Sequence, residues 1–117
     1  IAQQSADVLH AMESDAGQPL GRLLVDGGAS ANNFLMQYQA DLLGTPVSRP
    51  VCVETTALGA AYLAGLAAGV WKDQGEICRM HNIEREFRST KDDFWREDRR
   101  GAWRRAVDTA RFWAAHE

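Results

Sequence analysis

At 117 residues, 45% of them hydrophobic, the chain is long enough for one domain with a modest core, or for part of one, and its composition carries no mark of disorder. A formal net charge of -3 supplies neither the basic excess nor the segregated basic face that nucleic acid or an anionic membrane requires, so neither is expected as a partner. Cys52 and Cys78 lack Cys-x-x-Cys spacing and nearby His partners, which argues against zinc and a disulfide framework and leaves two reduced thiols in a cytoplasmic protein.

The chain starts at Ile1 rather than Met, so a processed chain or, more so, a segment of a longer protein is expected. No basic n-region followed by an apolar stretch marks a signal peptide. Ile1 to Met12 reads as an amphipathic packing helix, with Ile1, Ser5, Val8, Leu9 and Met12 on one side and Gln3, Gln4 and Asp7 on the other. Asp15 to Gly21, with Gly17, Pro19 and Gly21, ends it and turns the chain into a strand at Arg22 to Val25.

Asp26-Gly27-Gly28 then sits where that strand becomes a helix, since Ala31 to Leu43 repeats apolar residues at helical spacing. Glycine allows a sharp turn and a close approach of backbone to ligand, and the first free N–H groups of a helix favour an anion. The junction therefore fits a nucleotide. Asp-Gly-Gly is equally good turn chemistry, and Ser30 would serve as an N-cap accepting a bond from an amide near Asn33. No Gly-x-x-x-x-Gly-Lys-Ser/Thr loop or full Gly-x-Gly-x-x-Gly is present, which disfavours a P-loop enzyme and a dinucleotide-binding Rossmann domain.

In the second helix Phe34, Leu35, Tyr38 and Leu42 are expected to pack, leaving Asn33, Gln37 and Asp41 free for contacts or water. Gly44 is placed as its C-terminal cap, and Pro46 and Pro50 bracket an extended piece at Val47 to Arg49. Val51 to Val53 either continues it as an edge strand or bridges to the next helix. Thr55 and Thr56 are candidate N-caps of a third helix reaching about Val70, with Glu54 at its positive end. Small and apolar nearly all round, this helix reads as buried core, and at about 15 residues it is short for a membrane span.

Trp71 to Ser89 is expected as loop, although Glu86-Phe87-Arg88 alternates like a short extended segment. A last helix follows Thr90, with Trp95, Ala102, Ala106, Val107, Ala110 and Trp113 forming a broken stripe suited to docking on a sheet. Its arginines are interleaved with Asp92, Asp93, Glu97, Asp98 and Asp108, a pattern of local ion pairs on a solvated face. His10, His81 and His116 are scattered singly, as surface or capping residues rather than catalytic ones.

Three runs go beyond pattern: Val-Asp-Gly-Gly-Ala-Ser-Ala-Asn-Asn-Phe-Leu-Met-Gln at 25–37, Gln-Ala-Asp-Leu-Leu-Gly at 39–44, and Glu-Thr-Thr-Ala-Leu-Gly-Ala-Ala-Tyr-Leu-Ala-Gly-Leu-Ala-Ala-Gly-Val-Trp at 54–71. Together they resemble the C-terminal nucleotide-binding region of the glycerol kinases, within the carbohydrate-kinase family. The glycine pair, the Gln-x-x-Ala-Asp-x-x-Gly run and the Gly-Ala-Ala segment are shared across the wider family. Asn32 to Gln37 resembles the glycerol kinases in particular.

The resemblance implies an α/β fold, part of the C-terminal actin-like or ribonuclease-H-like ATPase domain with helices packed on a short sheet, and makes residues 1–117 a fragment of that nucleotide-binding domain. It assigns Gly28 and Ala29 to backbone contacts with the phosphates of ATP or ADP and Asn32 to the adenine side. Asn32, at the first turn of the helix, would offer a base edge both a donor and an acceptor. Asp26 is declined as a base, because a carboxylate before turn glycines is more often structural and the family's catalytic Asp lies upstream.

The implied whole enzyme is a cytoplasmic homo-oligomer that transfers the γ-phosphoryl group of Mg-ATP to glycerol. Its catalytic carboxylate and glycerol-binding residues would lie outside these residues, so the fragment is expected to be inactive. Two other readings stay open on the residues: another sugar kinase of the family, and a non-catalytic α/β module that binds a protein through its Arg/Trp-rich last helix.

Overall fold

The computed structural model describes residues 1–80 and 82–116, so the expectation for His81 lies outside the described residues. Helix α1 (Ala2–Ala16) ends at Gly17, whose φ of 64° is the left-handed cap that glycine adopts without strain. The chain then forms β1 (Leu23–Leu24), a 3-10 turn (Gly28–Ala31), α2 (Asn33–Leu43), β2 (Val47–Pro50), α3 (Thr55–Ala67), α4 (Gln74–Met80), β3 (Ile83–Phe87) and α5 (Asp93–Ala114). The three strands make one sheet in the order β1-β2-β3, with β1 parallel and β3 antiparallel to β2.

Strand β2 is thus the middle of the sheet and is buried along its whole length. The core collects Met36 and Ala40 of α2 against Val47 of β2 and Phe87 of β3, with Leu23, Val25 and Leu35 packed around it. This centre lies under the strand-to-helix junction, so α2 is anchored by its buried face just where its N-terminus meets the turn.

Several elements depart from the sequence reading. Residues 71–89 are not loop but contain α4 and β3, and β3 supplies Phe87 to the core. Val51 to Val53 bridges to α3 rather than forming an edge strand. In α1 the buried residues are Ala2 and Ala6, through which the helix meets α2, while Val8 and Met12 stay exposed. Small side chains allow a close helix pair, and that contact outweighs the larger apolar stripe.

Helix α2 likewise buries Met36, Gln39, Ala40, Asp41 and Leu42, whereas Phe34 is 79% exposed and stacks on Tyr38. The Asn33, Gln37 and Asp41 face is not free. Gln37 donates to the Arg88 carbonyl at 2.8 Å, and the Asp41 carboxylate accepts the Thr90 amide at 2.7 Å.

Helix α3, expected as core, is the largest departure. Gly65 is its one buried residue, because the Trp71 ring folds back over it where a Cβ would collide. Trp71 also meets Tyr62 edge-on at 5.3 Å, but Leu63 remains 69% exposed. No other described element packs on α3 closely enough to cover its apolar surface. Its N-cap position is Glu54 rather than either threonine, and Glu54 makes no side-chain cap.

Helix α5 starts from Asp92, whose carboxylate accepts the Trp95 amide at 2.9 Å. It leans on the other helices, not on the sheet: Trp95 meets Tyr38 edge-on at 5.8 Å, and Trp103 donates to Asp7 at 2.7 Å. The expected ion pairs are present as Arg96–Asp93 and Arg99–Asp98. His10 lies between Glu13 and Arg100, each 3.1 Å away, and His116 donates to the Phe112 carbonyl at the end of α5. Both cysteines are unpaired and exposed.

Candidate functional site

The junction predicted as the site is built from the inside out. After β1 the chain passes Asp26 into Gly27, whose φ of 74° and ψ of 174° belong to a region that only glycine occupies readily. The Gly27 amide donates to the Val53 carbonyl at 2.8 Å, tying the turn to the segment that leads into α3. Ser30 is 1% exposed and donates both its hydroxyl, at 2.7 Å, and its amide, at 3.1 Å, to the Gly27 carbonyl. Ser30 is therefore a lock on the turn and not the N-cap.

That cap is Asn32. Its amide donates to the Ala29 carbonyl at 3.2 Å, and its side-chain oxygen accepts the Leu35 amide at 3.0 Å. The cap occupies one lone pair of the Asn32 oxygen, and the side-chain N–H₂ keeps both of its donors for other partners.

Gly28, Ala29 and Asn32 are brought together on the exposed side of this one turn. A Cβ placed on Gly28 meets nothing within 4 Å, so the space in front of the turn is open. Gly28 and Ala29 begin the 3-10 turn, where backbone amides have no intrahelical acceptor. The turn is thus locked on its inner face and open on its outer one. Asp26 instead accepts the Thr55 hydroxyl at the start of α3, which agrees with a structural carboxylate.

Sequence reasoning missed Arg49. This guanidinium, on the middle strand and 8% exposed in its residue as a whole, donates through Nη1 to the Ser30 carbonyl at 2.7 Å and to the Asn33 side-chain oxygen at 3.0 Å. Its Nε donates to Glu84 at 2.7 Å, and that hydrogen bond holds the Glu84 carboxyl below the usual carboxylate range. Pairing shifts between Arg49 and Pro50, so that Pro50 faces Ile83 and Glu84 is the extra residue of a bulge. Bulges re-aim side chains, and this one brings the carboxylate to Arg49. The available signal was a charged residue inside a short extended segment bracketed by Pro46 and Pro50.

A cavity of about 520 Å³ forms an open apolar trough between α1, β1 and α2, lined by Val8, Leu9, Leu24, Leu35 and Met36. It touches the turn at Ala29 but does not include Gly28 or Asn32, so it is a neighbour of the turn's exposed side and not the same site. Among the described residues no group of three or more His, Cys, Asp or Glu is placed to hold a metal ion. Nor, among them, is any helix long and apolar enough to cross a membrane.

A small mixed sheet, a strand-to-helix turn and a helix capped by asparagine make an α/β arrangement, and its match to a solved glycerol kinase gives it the fold of the C-terminal actin-like ATPase domain. Residues 1–68 match the C-terminal domain of the FGGY family of carbohydrate kinases, and the chain belongs to that family.

Within it, the chain is similar to the glycerol kinase of Carboxydothermus hydrogenoformans, 55% identical over 117 residues, which is all of this chain and 23% of that protein. The glycerol kinase of Treponema denticola is 57% identical over 114 residues, covering 97% of this chain and again 23% of the relative. Among solved structures, a Plasmodium falciparum glycerol kinase with ADP superposes with a TM-score of 0.81 at 31% identity, over 92% of this chain and 22% of that one. The chain thus spans less than a quarter of the length of the relatives it matches.

Proposed function

We propose that these residues are the ATP- and ADP-binding portion of a glycerol kinase, which transfers the γ-phosphoryl group of ATP to glycerol to give sn-glycerol 3-phosphate and ADP. The observation that carries this reading is the exposed edge formed by Gly28, Ala29 and Asn32 on a turn whose inner face is locked by Ser30. In this role the Gly28 and Ala29 amides hold phosphate oxygens, and the Asn32 N–H₂ donates to an acceptor on the adenine edge. Similarity to a glycerol kinase solved with ADP supports the assignment of the ligand class.

Phosphoryl transfer of this kind relies on positioning and charge stabilisation, with a carboxylate taking the proton of the attacking hydroxyl. This chain contributes positioning. Asp26 is bound to Thr55 and does not stand free as a base, so the catalytic carboxylate and the glycerol contacts belong to other parts of the longer enzyme. Magnesium would accompany the nucleotide phosphates and neutralise part of their charge. The fragment alone is inactive in this reading, and the whole enzyme is a cytoplasmic homo-oligomer.

The test is ADP titration of isotopically labelled full-length protein, followed by amide NMR. Shifts concentrated at Gly28, Ala29 and Asn32 are expected, and a titration that saturates while leaving all three unmoved would overturn the assignment.

A further inference from the structure

We infer that Arg49 is the positioning residue of the nucleotide turn, holding Asn32 in its base-facing orientation from the centre of the sheet. The inference rests on the reading that Asn32 meets the nucleotide. A guanidinium in the middle strand is costly to bury unless its N–H groups are paired, and a well-packed apolar residue in such a place is often no less stable. Stability of the sheet alone therefore gives no reason for an arginine here.

The directions of its bonds do. Glu84, half-exposed on β3, receives Nε and fixes the guanidinium plane. The Phe87 ring lies 5.4 Å from the guanidinium carbon, so the core packs beside it. Nη1 then leaves the sheet for the turn, where it meets the Ser30 carbonyl and the Asn33 side chain. Those two acceptors bracket Ala31 and Asn32. One nitrogen thus clamps both ends of the short exposed segment that carries Asn32.

Ser30 also locks the phosphate side of the turn through its own hydroxyl. Arg49 adds a second hold from the sheet, which reaches past Ser30 to Asn33 on the other side of Asn32. Lysine cannot take the place of arginine in full. Its single ammonium lacks the planar fork that serves Glu84 and the two turn acceptors at once.

The test uses the full-length enzyme with Arg49→Met, Arg49→Lys, Asn33→Ala and, as reference, Asn32→Ala. Steady-state kinetics with ATP varied and glycerol saturating, and the reverse, separate the two substrates. Arg49→Met should raise the KM for ATP about tenfold, the size of one charge-assisted hydrogen bond, with kcat and the KM for glycerol nearly unchanged. Arg49→Lys should recover part of that loss. Asn33→Ala should shift the ATP KM in the same direction by a few-fold, and combining it with Arg49→Met should add little further.

A folded Arg49→Met enzyme with wild-type ATP KM would overturn the inference, as would a uniform fall in kcat with both KM values kept. If Asn32→Ala raises the ATP KM while the Arg49 and Asn33 variants do not, the positioning role alone fails. If Asn32→Ala is also without effect, the nucleotide reading fails and this inference with it. Should Arg49→Met not fold, Asn33→Ala and Arg49→Lys carry the same comparison.

Discussion

The Asp41 carboxylate accepts the backbone N–H of Thr90 at 2.7 Å, and the same oxygen takes the Gln37 side-chain amide at 3.1 Å. Residues 49 positions apart are thereby joined, and the second half of α2 is fixed to the connection between β3 and α5. Asp41 is 5% exposed, so its bonds are made away from competing water. Asp41→Ala should destabilise the protein by about 1–3 kcal/mol, because it removes the acceptor that ties the Thr90 amide to α2. Asp41→Asn keeps one oxygen and should lose roughly half as much. Urea unfolding of both variants checks this, and an unchanged midpoint in Asp41→Ala would contradict it.

The two glycines of the turn should separate folding from binding. Gly27 carries the positive φ and its amide is committed to Val53, so Gly27→Ala should cost roughly 1–3 kcal/mol of stability and disturb the turn itself. Gly28 has no such constraint, and a methyl there meets no protein atom. Gly28→Ala should therefore leave thermal stability within about 0.5 kcal/mol of wild type. The methyl would stand where the phosphates are proposed to approach, so ADP affinity should fall about tenfold, by calorimetry on the full-length protein. Equal ADP affinity in Gly28→Ala and wild type would place the phosphates elsewhere.

Two carboxyls give the stability a defined acid limb. Glu84 is held below its ordinary value of 4.5 first by the Arg49 hydrogen bond, and Glu13 below the same value first by the Leu20 amide and then by His10. A group whose folded pKa is depressed contributes stability that is fully present above its unfolded value and is lost as pH falls through the folded one. Stability should accordingly be flat in these two groups above about pH 5 and decline below pH 4.5. Glu84→Gln and Glu13→Gln should each flatten that decline, measured as urea midpoints between pH 6 and pH 3. A decline of the same slope in the double variant would assign the acid limb to other groups.

The strand-to-helix junction was legible because both of its signals are local. The apolar run at Leu23 to Val25 leads into two glycines and a helical repeat, and the structure keeps that order with Gly27 carrying the strained backbone. Arg49 was not legible, since its partners lie 16, 19 and 35 positions away and depend on a bulge in β3 that no periodicity announces. Strand β3 was hidden for a related reason: the bulge at Glu84 interrupts its alternation, and of Arg85 and Phe87, which share a face, only Phe87 is buried. Helix α3 was read correctly as apolar all round and wrongly as covered. Composition reports what a helix needs to bury, and only tertiary structure reports what is there to bury it.

That mismatch in α3 leads to opposite expectations in two contexts. Leu63 and Val70 are exposed at 69% and 67%, and Trp71 covers only the Gly65 side of the helix. Contiguous apolar surface of this kind drives association. The 117-residue chain should therefore elute from size exclusion above its monomer mass of 13.0 kDa and bind a hydrophobic dye, and Leu63→Glu should reduce both effects. In a protein as long as the relatives, of which this chain spans 23%, the remaining chain is what can cover the helix. There Leu63→Glu would bury a charge without a partner and should destabilise by several kcal/mol, on the order of 3. A substitution that improves the fragment and harms the whole would locate α3 at an internal interface. One that is neutral in both would mean that the helix faces solvent in the longer protein as well.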